Sequence, residues 1–182
     1  MGATRAAMLT CRLATSHDTD GLAALLALSI DRLQRGFLTS EQIAASKRIM
    51  GLDTQLIEDG TYFVVETAGF AIGCGGWSRR ATLYGGDHAA GRDAALLDPA
   101  REPARVRAMY THPDHARRGV GRLILVRCEV AAAAAGFRKV ELMSTLAGEP
   151  LYRACGYTEI ERFTPAPVEG VELPLIRMGK AI

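Results

Sequence analysis

Several features that would place this chain in a special class are missing from it. No apolar run approaches transmembrane length, and the first ten residues lack the apolar core of a signal peptide. We therefore expect a cytoplasmic protein with no membrane partner. The cysteines contain no CxxC pair and each sits in an apolar stretch, which predicts buried free thiols rather than disulfides. They are Cys11, Cys74, Cys128 and Cys155.

Metal ligands and a strong net charge are also lacking. The four histidines have no ligand-like partners at helical spacing, which predicts that the protein holds no metal. A net charge of +2 is too small to indicate nucleic acid as the main partner. Only three of the 22 basic residues are lysines, and arginine is the better side chain for planar recognition of phosphate and carboxylate. The length of 182 residues favours a single domain over residues 1–182.

What is present is an alternation of helix-like and strand-like segments. Apolar periodicity predicts helices over about residues 19–35, 39–50, 123–135 and 149–155. Runs rich in β-branched and aromatic residues predict strands over residues 8–14, 62–66, 70–79, 104–111, 139–144, 157–163 and 171–178. A hairpin beside a β-α-β crossover gives a mixed, mostly antiparallel sheet flanked by helices, an α/β fold of the α+β type.

One long segment, residues 80–103, has no periodicity, because glycines and an Asp-Pro pair interrupt it. Ordered loops of this length often line a site, and disorder is an equal alternative. Trp77, Arg79 and Arg80 at its entrance fit either a ligand pocket or ordinary structural and solvated roles.

A phosphate-binding pattern stands at residues 117–122, whose sequence is RRGVGR. It follows a predicted strand and a His-Pro-Asp-His turn, and it opens a predicted helix. Free backbone N–H groups converge there at the positive end of the helix dipole. Gly119 and Gly121 remove side chains that would keep a phosphate away, and the arginines add charge that pairs with it. The segment predicts a site for the pyrophosphate of a nucleotide-like cofactor, although not of the Rossmann type, because the pattern is not GxGxxG.

Two motifs in this chain are similar to those of the GCN5-related N-acetyltransferase (GNAT) family. The family's Q/R-x-x-G-x-G/A signature corresponds to residues 116–121 (ARRGVG), and its F-Y-x-x-x-G-F motif corresponds to residues 151–157 (LYRACGY). The resemblance covers most of the chain, because the order of strands and helices also fits. Two positions depart from the family's pattern. Ala116 stands where glutamine or arginine is usual, and Ala147 stands near a frequent asparagine.

The resemblance implies a GNAT fold, in which a splayed pair of parallel strands holds acetyl-CoA as co-substrate and no metal takes part. The predicted strands over residues 104–111 and 139–144 would form that pair. Tyr152 matches the tyrosine that protonates the departing CoA thiolate, so it is the candidate general acid. A backbone N–H beside the pantetheine arm would polarise the thioester carbonyl. The implied cofactor contacts are Arg117, Arg118, Gly119, Val120, Gly121 and Arg122 at the pyrophosphate, and Met109, Tyr110 and Thr111 beside the pantetheine arm.

The function implied by the resemblance is an acetyl-CoA-dependent N-acetyltransferase. It would act on a primary amine of a small molecule or peptide by direct attack in a ternary complex. A non-catalytic module that binds or senses acyl-CoA is the alternative, and a nucleic-acid binder that uses the arginines is a second rival. No motif fixes the general base, because Glu141 and Glu66 are as readily surface charges of strands. The pattern also leaves open whether Arg107 faces the acceptor, and family members often dimerise, which leaves a homodimer open.

Overall fold

The computed structural model of the protein describes residues 8–182, which form seven strands and five helices together with two short 3-10 turns. The strands are β1 (Thr10–Leu13), β2 (Tyr62–Thr67), β3 (Phe70–Ser78), β4 (Ala104–Thr111), β5 (Lys139–Thr145), β6 (Thr158–Phe163) and β7 (Leu175–Ala181). The helices are α1 (Thr19–Leu33), α2 (Ser40–Ser46), α3 (Thr54–Glu58), α4 (Val120–Ala134) and α5 (Glu149–Ala154).

All the strands belong to one sheet, in the order β1-β2-β3-β4-β5-β7-β6. Neighbouring strands are antiparallel except β4 and β5, which run parallel. Parallel neighbours need a crossover connection, and α4 makes it between these two strands. The predicted mixed, mostly antiparallel sheet with one parallel pair is confirmed.

Helices cover both faces of the sheet and divide its core into two clusters. On one face, Leu22 and Leu26 of α1 and Leu56 of α3 are buried against β2 and β3. On the other face, Ile124 and Leu125 of α4 are buried against β3, β4 and β5. The four cysteines are free thiols, as predicted, and two are fully buried while two are half-buried. The site described below lies where the sheet opens between these two clusters.

A few element boundaries differ from the sequence prediction. α2 ends at Ser46, earlier than expected, and the unpredicted helix α3 follows it. A helix of five residues is too short to show a helical period in its sequence. The last strand begins after Pro174, because proline has no N–H for the ladder. Val171 pairs with Val168 instead, across a small turn.

Candidate active site

A cleft opens where the parallel strands β4 and β5 separate. Within the described residues, their pairing is confined to Ala104 with Val140 and Arg105 with Glu141. Beyond that point lies a cavity of about 140 Å³. It is lined by residues 106–110 of β4, Met143 and Thr145 of β5, and Tyr152 of α5. The sheet therefore carries a V-shaped opening at its centre, bordered by the strands that the sequence predicted for the splayed pair.

A β-bulge in β4 shapes one wall of this opening. Arg107 pairs with Gly76 and Tyr110 pairs with Cys74, so two residues of β4 stand opposite one of β3. Ala108 within the bulge has a φ of 51°, which is uncommon for a residue with a side chain. The Tyr62 hydroxyl donates to the Ala108 carbonyl at 2.9 Å and holds this conformation. The bulge turns the backbone at 108–109 toward the cavity, which both residues line.

The predicted phosphate cradle lies at the start of α4. Gly119 precedes the helix with a φ of 84°, a conformation that glycine adopts without strain. The first intrahelical bond runs from the Leu123 N–H to the Gly119 carbonyl at 2.9 Å. The amides of Val120, Gly121 and Arg122 precede that bond and, within residues 8–182, donate to no backbone carbonyl. These free donors stand at the positive end of the helix dipole, which is a favourable place for an anion.

The arginines of the cradle reinforce this positive end. Arg117, Arg118 and Arg122 are exposed, and in the part of the chain that the structure describes none has a carboxylate within 4.0 Å. A Cβ at Gly121 would stand 2.7 Å from the Leu151 side chain. Because residue 121 has no side chain, α4 can pack closely on Leu151 of α5. Tyr152 is the residue that follows Leu151 in that helix.

Tyr152 borders the cavity and is only 8% exposed. Its ring packs edge-on against Tyr157, with 5.8 Å between the centroids. Burial raises the pKa of the Tyr152 hydroxyl well above its ordinary value, with smaller contributions from the Cys128 and Cys155 thiols. Because the raised pKa favours the neutral phenol, this hydroxyl carries its proton at neutral pH.

The long segment over residues 80–103 closes the opposite side of the cavity. The Gly86 N–H donates to the Ile49 carbonyl at 2.8 Å, and the Asp87 N–H donates to the Leu52 carbonyl at 2.9 Å. These bonds tie the segment to the connection between α2 and α3. Leu83, Tyr84 and Gly85 consequently lie beside Ile49, Met50 and Gly51, and both segments line the cavity.

A buried ion cluster anchors this wall to β4. Asp53 is fully buried, and its Oδ1 lies 2.8 Å from Arg92 Nη2 while its Oδ2 lies 2.7 Å from Arg107 Nη2. Arg92 also donates to the Gly85 and Gly86 carbonyls at 3.0 and 3.1 Å. Arg107 is among the residues that line the cavity. Neither Asp53 nor Arg92 could be identified from the sequence, because no local spacing joins residues so far apart.

The profile of one protein family matches more than half of this chain. It is described as "Acetyltransferase (GNAT) domain", and it covers residues 58–159, which hold β2 to β5, the cradle and Tyr152. The chain belongs to the GNAT N-acetyltransferase family. No curated protein matches the sequence.

Solved structures share the fold of this GNAT chain at low sequence identity. A GCN5-related N-acetyltransferase from Rhodopseudomonas palustris is 18% identical with a TM-score of 0.71, over 100% of both chains. The PaiA N-acetyltransferase of Thermoplasma acidophilum, solved with coenzyme A, is 12% identical with a TM-score of 0.64, over 96% of this chain and 99% of that one. The putative acetyltransferase YncA of Salmonella typhimurium, solved with acetyl-CoA, is 18% identical with a TM-score of 0.63, over 96% and 94%.

Other candidate residues of this GNAT chain lie outside the cavity. Glu141 Oε2 accepts hydrogen bonds from Arg105 at 2.8 Å and from Arg177 at 2.7 Å, and Glu66 binds Arg12 at 2.6 Å on β1. Neither glutamate is among the lining residues.

The residues at the entrance of the long loop are also structural. Trp77 packs on Phe137, Arg79 lies over the Trp77 ring, and Arg80 pairs with Asp59 at 2.7 Å. In the described range, no three His, Cys, Asp or Glu side chains cluster as metal ligands. Over the same range, the helices are too short or too polar to cross a bilayer.

Proposed function

We propose that the protein transfers the acetyl group of acetyl-CoA to a primary amine of a small molecule or peptide, by direct attack while both substrates are bound. The observation that carries this proposal is the cavity between β4 and β5, which is lined by the bulge, by Tyr152 and by residues 83–85. The cradle at 117–122 opens the helix that connects these two strands. The two similar structures solved with coenzyme A or acetyl-CoA support the choice of donor.

The cradle fits the pyrophosphate of CoA. Its amides at 120–122 lack backbone acceptors in the described chain, and its three arginines lack carboxylate partners there. We assign the pyrophosphate to Arg117, Arg118, Gly119, Val120, Gly121 and Arg122. Met109, Tyr110 and Thr111 belong beside the pantetheine arm, since the first two line the cavity and the third ends the same strand.

The chain's own groups then have distinct tasks. Acetyl-CoA supplies an acetyl group as a thioester. A neutral amine in the cavity forms the new N–C bond with the carbonyl carbon, and the C–S bond breaks with its electron pair on sulfur. Tyr152 donates its proton to that sulfur, the amine loses its proton to water, and water in turn reprotonates Tyr152, which leaves an amide and free CoA. A backbone N–H of β4 at residues 109–111 hydrogen-bonds to the carbonyl oxygen as its negative charge grows. Holding the amine and thioester in one cavity accounts for much of the rate.

Measuring transfer and binding separately tests this proposal. Release of the CoA thiol is followed with acetyl-CoA and a panel of amines, amino acids, polyamines, aminoglycosides and peptides. Binding of CoA is measured by calorimetry on the same preparation. We expect CoA to bind and at least one amine to accelerate thiol release. CoA binding without transfer to any amine would favour the acyl-CoA-binding module, and no CoA binding at all would overturn the assignment of the cradle.

A further inference from the structure

The acceptor end of the cavity has an unusual balance of charge. Among the described residues that line the cavity, Arg107 is the side chain that carries a formal charge at neutral pH. The others are aliphatic residues, tyrosines, methionines, glycines and one threonine. A pocket built to hold a polyamine or an aminoglycoside would need carboxylates, and this lining has none.

Arg107 is buried and retains unused hydrogen-bond donors. Its side chain is 3% exposed, and its Nη2 contacts both the Gly85 carbonyl at 2.6 Å and Asp53 Oδ2 at 2.7 Å. Its Nη1 makes no hydrogen bond in the described part of the chain, and its Nε is buried without one. A guanidinium has five N–H donors, and leaving them unpaired in a buried site costs free energy. A ligand in the cavity that accepts from Nη1 would reduce that cost.

Arg107 shares its carboxylate partner with a second arginine. The guanidinium groups of Arg92 and Arg107 both contact the buried Asp53. Arg92 is partly exposed, and Asp87, whose carboxylate accepts the Thr54 N–H at 3.0 Å, is exposed. Because water screens these outer charges, Arg107 is the charged group that lies in the cavity wall itself.

From these observations, and on the basis of the proposed function, we propose that the acceptor is a small amino acid-like molecule whose carboxylate is bound by Arg107 next to the amine that receives the acetyl group. The fork of the guanidinium matches a carboxylate geometrically. A cavity of about 140 Å³ limits the molecule's size. Ile49, Met50, Leu83 and Leu175 supply an apolar wall for its side chain.

The same charge helps the amine to react. The described lining contains no carboxylate or imidazole that could serve as a base. A nearby positive charge lowers the pKa of an ammonium group, so the bound amine loses its proton to water more readily. The carboxylate binds to Arg107 while the amine remains available as a nucleophile. An acceptor with an amine alone would be repelled by Arg107 and would have no partner for its charge.

Matched acceptors test the proposal on the wild-type protein. Each common L-amino acid is compared with its carboxamide and with its decarboxylated amine, in CoA-release assays at saturating acetyl-CoA. We expect kcat/KM for the preferred amino acid to exceed that of its amide by roughly 10- to 100-fold, the value of a charge-assisted pair. Calorimetry with the N-acetyl amino acid and its amide in the presence of CoA should show the same preference, whether turnover is fast or slow. Equal use of acid and amide, or binding of neither product, would overturn the proposal.

A pair of conservative variants separates recognition from folding. Arg107→Lys keeps the positive charge opposite Asp53 but removes the fork, and we expect the preference for the acid to fall to within about three-fold. Arg105→Lys changes a partly buried arginine on the same strand that does not line the cavity, so its preference should stay that of the wild type. If only amines without a carboxylate are acetylated, this proposal fails and the proposed function stands. If acetyl-CoA itself does not bind, the proposed function fails.

Discussion

The two halves of the proposed site are built in opposite ways. The proposed donor half is one continuous segment, 117–122, that offers backbone amides and exposed arginines at a helix start. The proposed acceptor half joins Asp53, Arg92 and Arg107, which come from three separate parts of the chain and meet around a buried carboxylate. A phosphate site made of backbone amides is little affected by side-chain substitutions, whereas the loss of one member of a buried ion cluster leaves its partners unpaired. One scaffold can therefore keep its donor site while the residues of its acceptor wall change independently.

Tyr152 lines the cavity together with Arg107, and removing its hydroxyl tests whether it acts as the acid there. We expect Tyr152→Phe to lower kcat by roughly 10²- to 10⁴-fold, the range of general acid catalysis, with the Kd for CoA nearly unchanged. Tyr157→Phe is the matched control, because it deletes a neighbouring buried hydroxyl that does not line the cavity. Equal kcat values for the two variants would show that the phenol is not the acid.

The pH profile gives a second view of the same residue. Burial raises the pKa of Tyr152 above the ordinary tyrosine value of about 10. The acid form therefore persists as the pH rises through that value. We therefore expect kcat of the wild type at saturating acceptor not to fall between pH 7 and about pH 10. A fall in this range that is absent from Tyr152→Phe would contradict the raised pKa.

Breaking the ion cluster should destabilise the acceptor half and the fold with it. Asp53→Ala leaves the buried Arg107 and the partly exposed Arg92 without their carboxylate, so we expect the free energy of unfolding in urea to fall by about 3 to 5 kcal/mol. Asp20→Ala, at an exposed position of α1, should change it by no more than about 0.5 kcal/mol. A loss for Asp53→Ala as small as the control's would mean that solvent reaches the cluster.

The donor half is best tested through its backbone. Gly119→Ala places a Cβ at a φ of 84°, and we expect a loss of about 1 to 2 kcal/mol in unfolding free energy and a roughly ten-fold weaker Kd for CoA. Gly36→Ala has a φ of 85° and, like Gly119, open space around it. It should lose similar stability and keep its CoA affinity. Equal CoA affinity in both variants would argue against phosphate binding at the helix start.

The smallest effect is expected from a single exposed arginine of the cradle. Arg118→Ala should weaken CoA binding by no more than about five-fold at physiological salt, because exposed charge pairs contribute little each. The difference from wild type should shrink further as salt is added. Arg101→Ala removes a loop arginine whose side chain is 86% exposed and should leave the CoA affinity unchanged. A large loss of CoA affinity in Arg118→Ala alone would mean that binding depends on one contact from which water is excluded.

The fold and the proposed donor half could be predicted from the sequence because both depend on patterns of neighbouring residues. Strand β4, the turn and the start of α4 follow one another, so the cradle at 117–122 was visible as a pattern. The motif at 151–157 then located Tyr152. The acceptor half was not visible in the same way. Asp53 precedes a helix too short to show a period, and the partners Arg92 and Arg107 become neighbours only through the tertiary fold.

The long loop shows the same limit. From its glycines and prolines, an ordered loop and a disordered one were equal alternatives. Residues 83–85 line the cavity because the Gly86 and Asp87 amides donate to carbonyls near residue 50. The residues at its entrance are bound elsewhere, with Arg80 on Asp59 and Arg79 on Trp77. A single domain over residues 1–182, a cytoplasmic location and a homodimer all stay predictions.

The bulge at Ala108 changes the phase of β4. Arg107 and Ala108 both face the side of the sheet that α1 covers. The residues of β4 on that side therefore have odd numbers before the bulge and even numbers after it. Met109 faces the α4 core, while Tyr110 lies in the α1 core. Deleting Ala108 would leave Met109 and Tyr110 on their present faces in a regular strand, but it would remove the backbone bend that lines the cavity. The extra residue therefore serves the shape of the cavity, and the packing of the two cores does not require it.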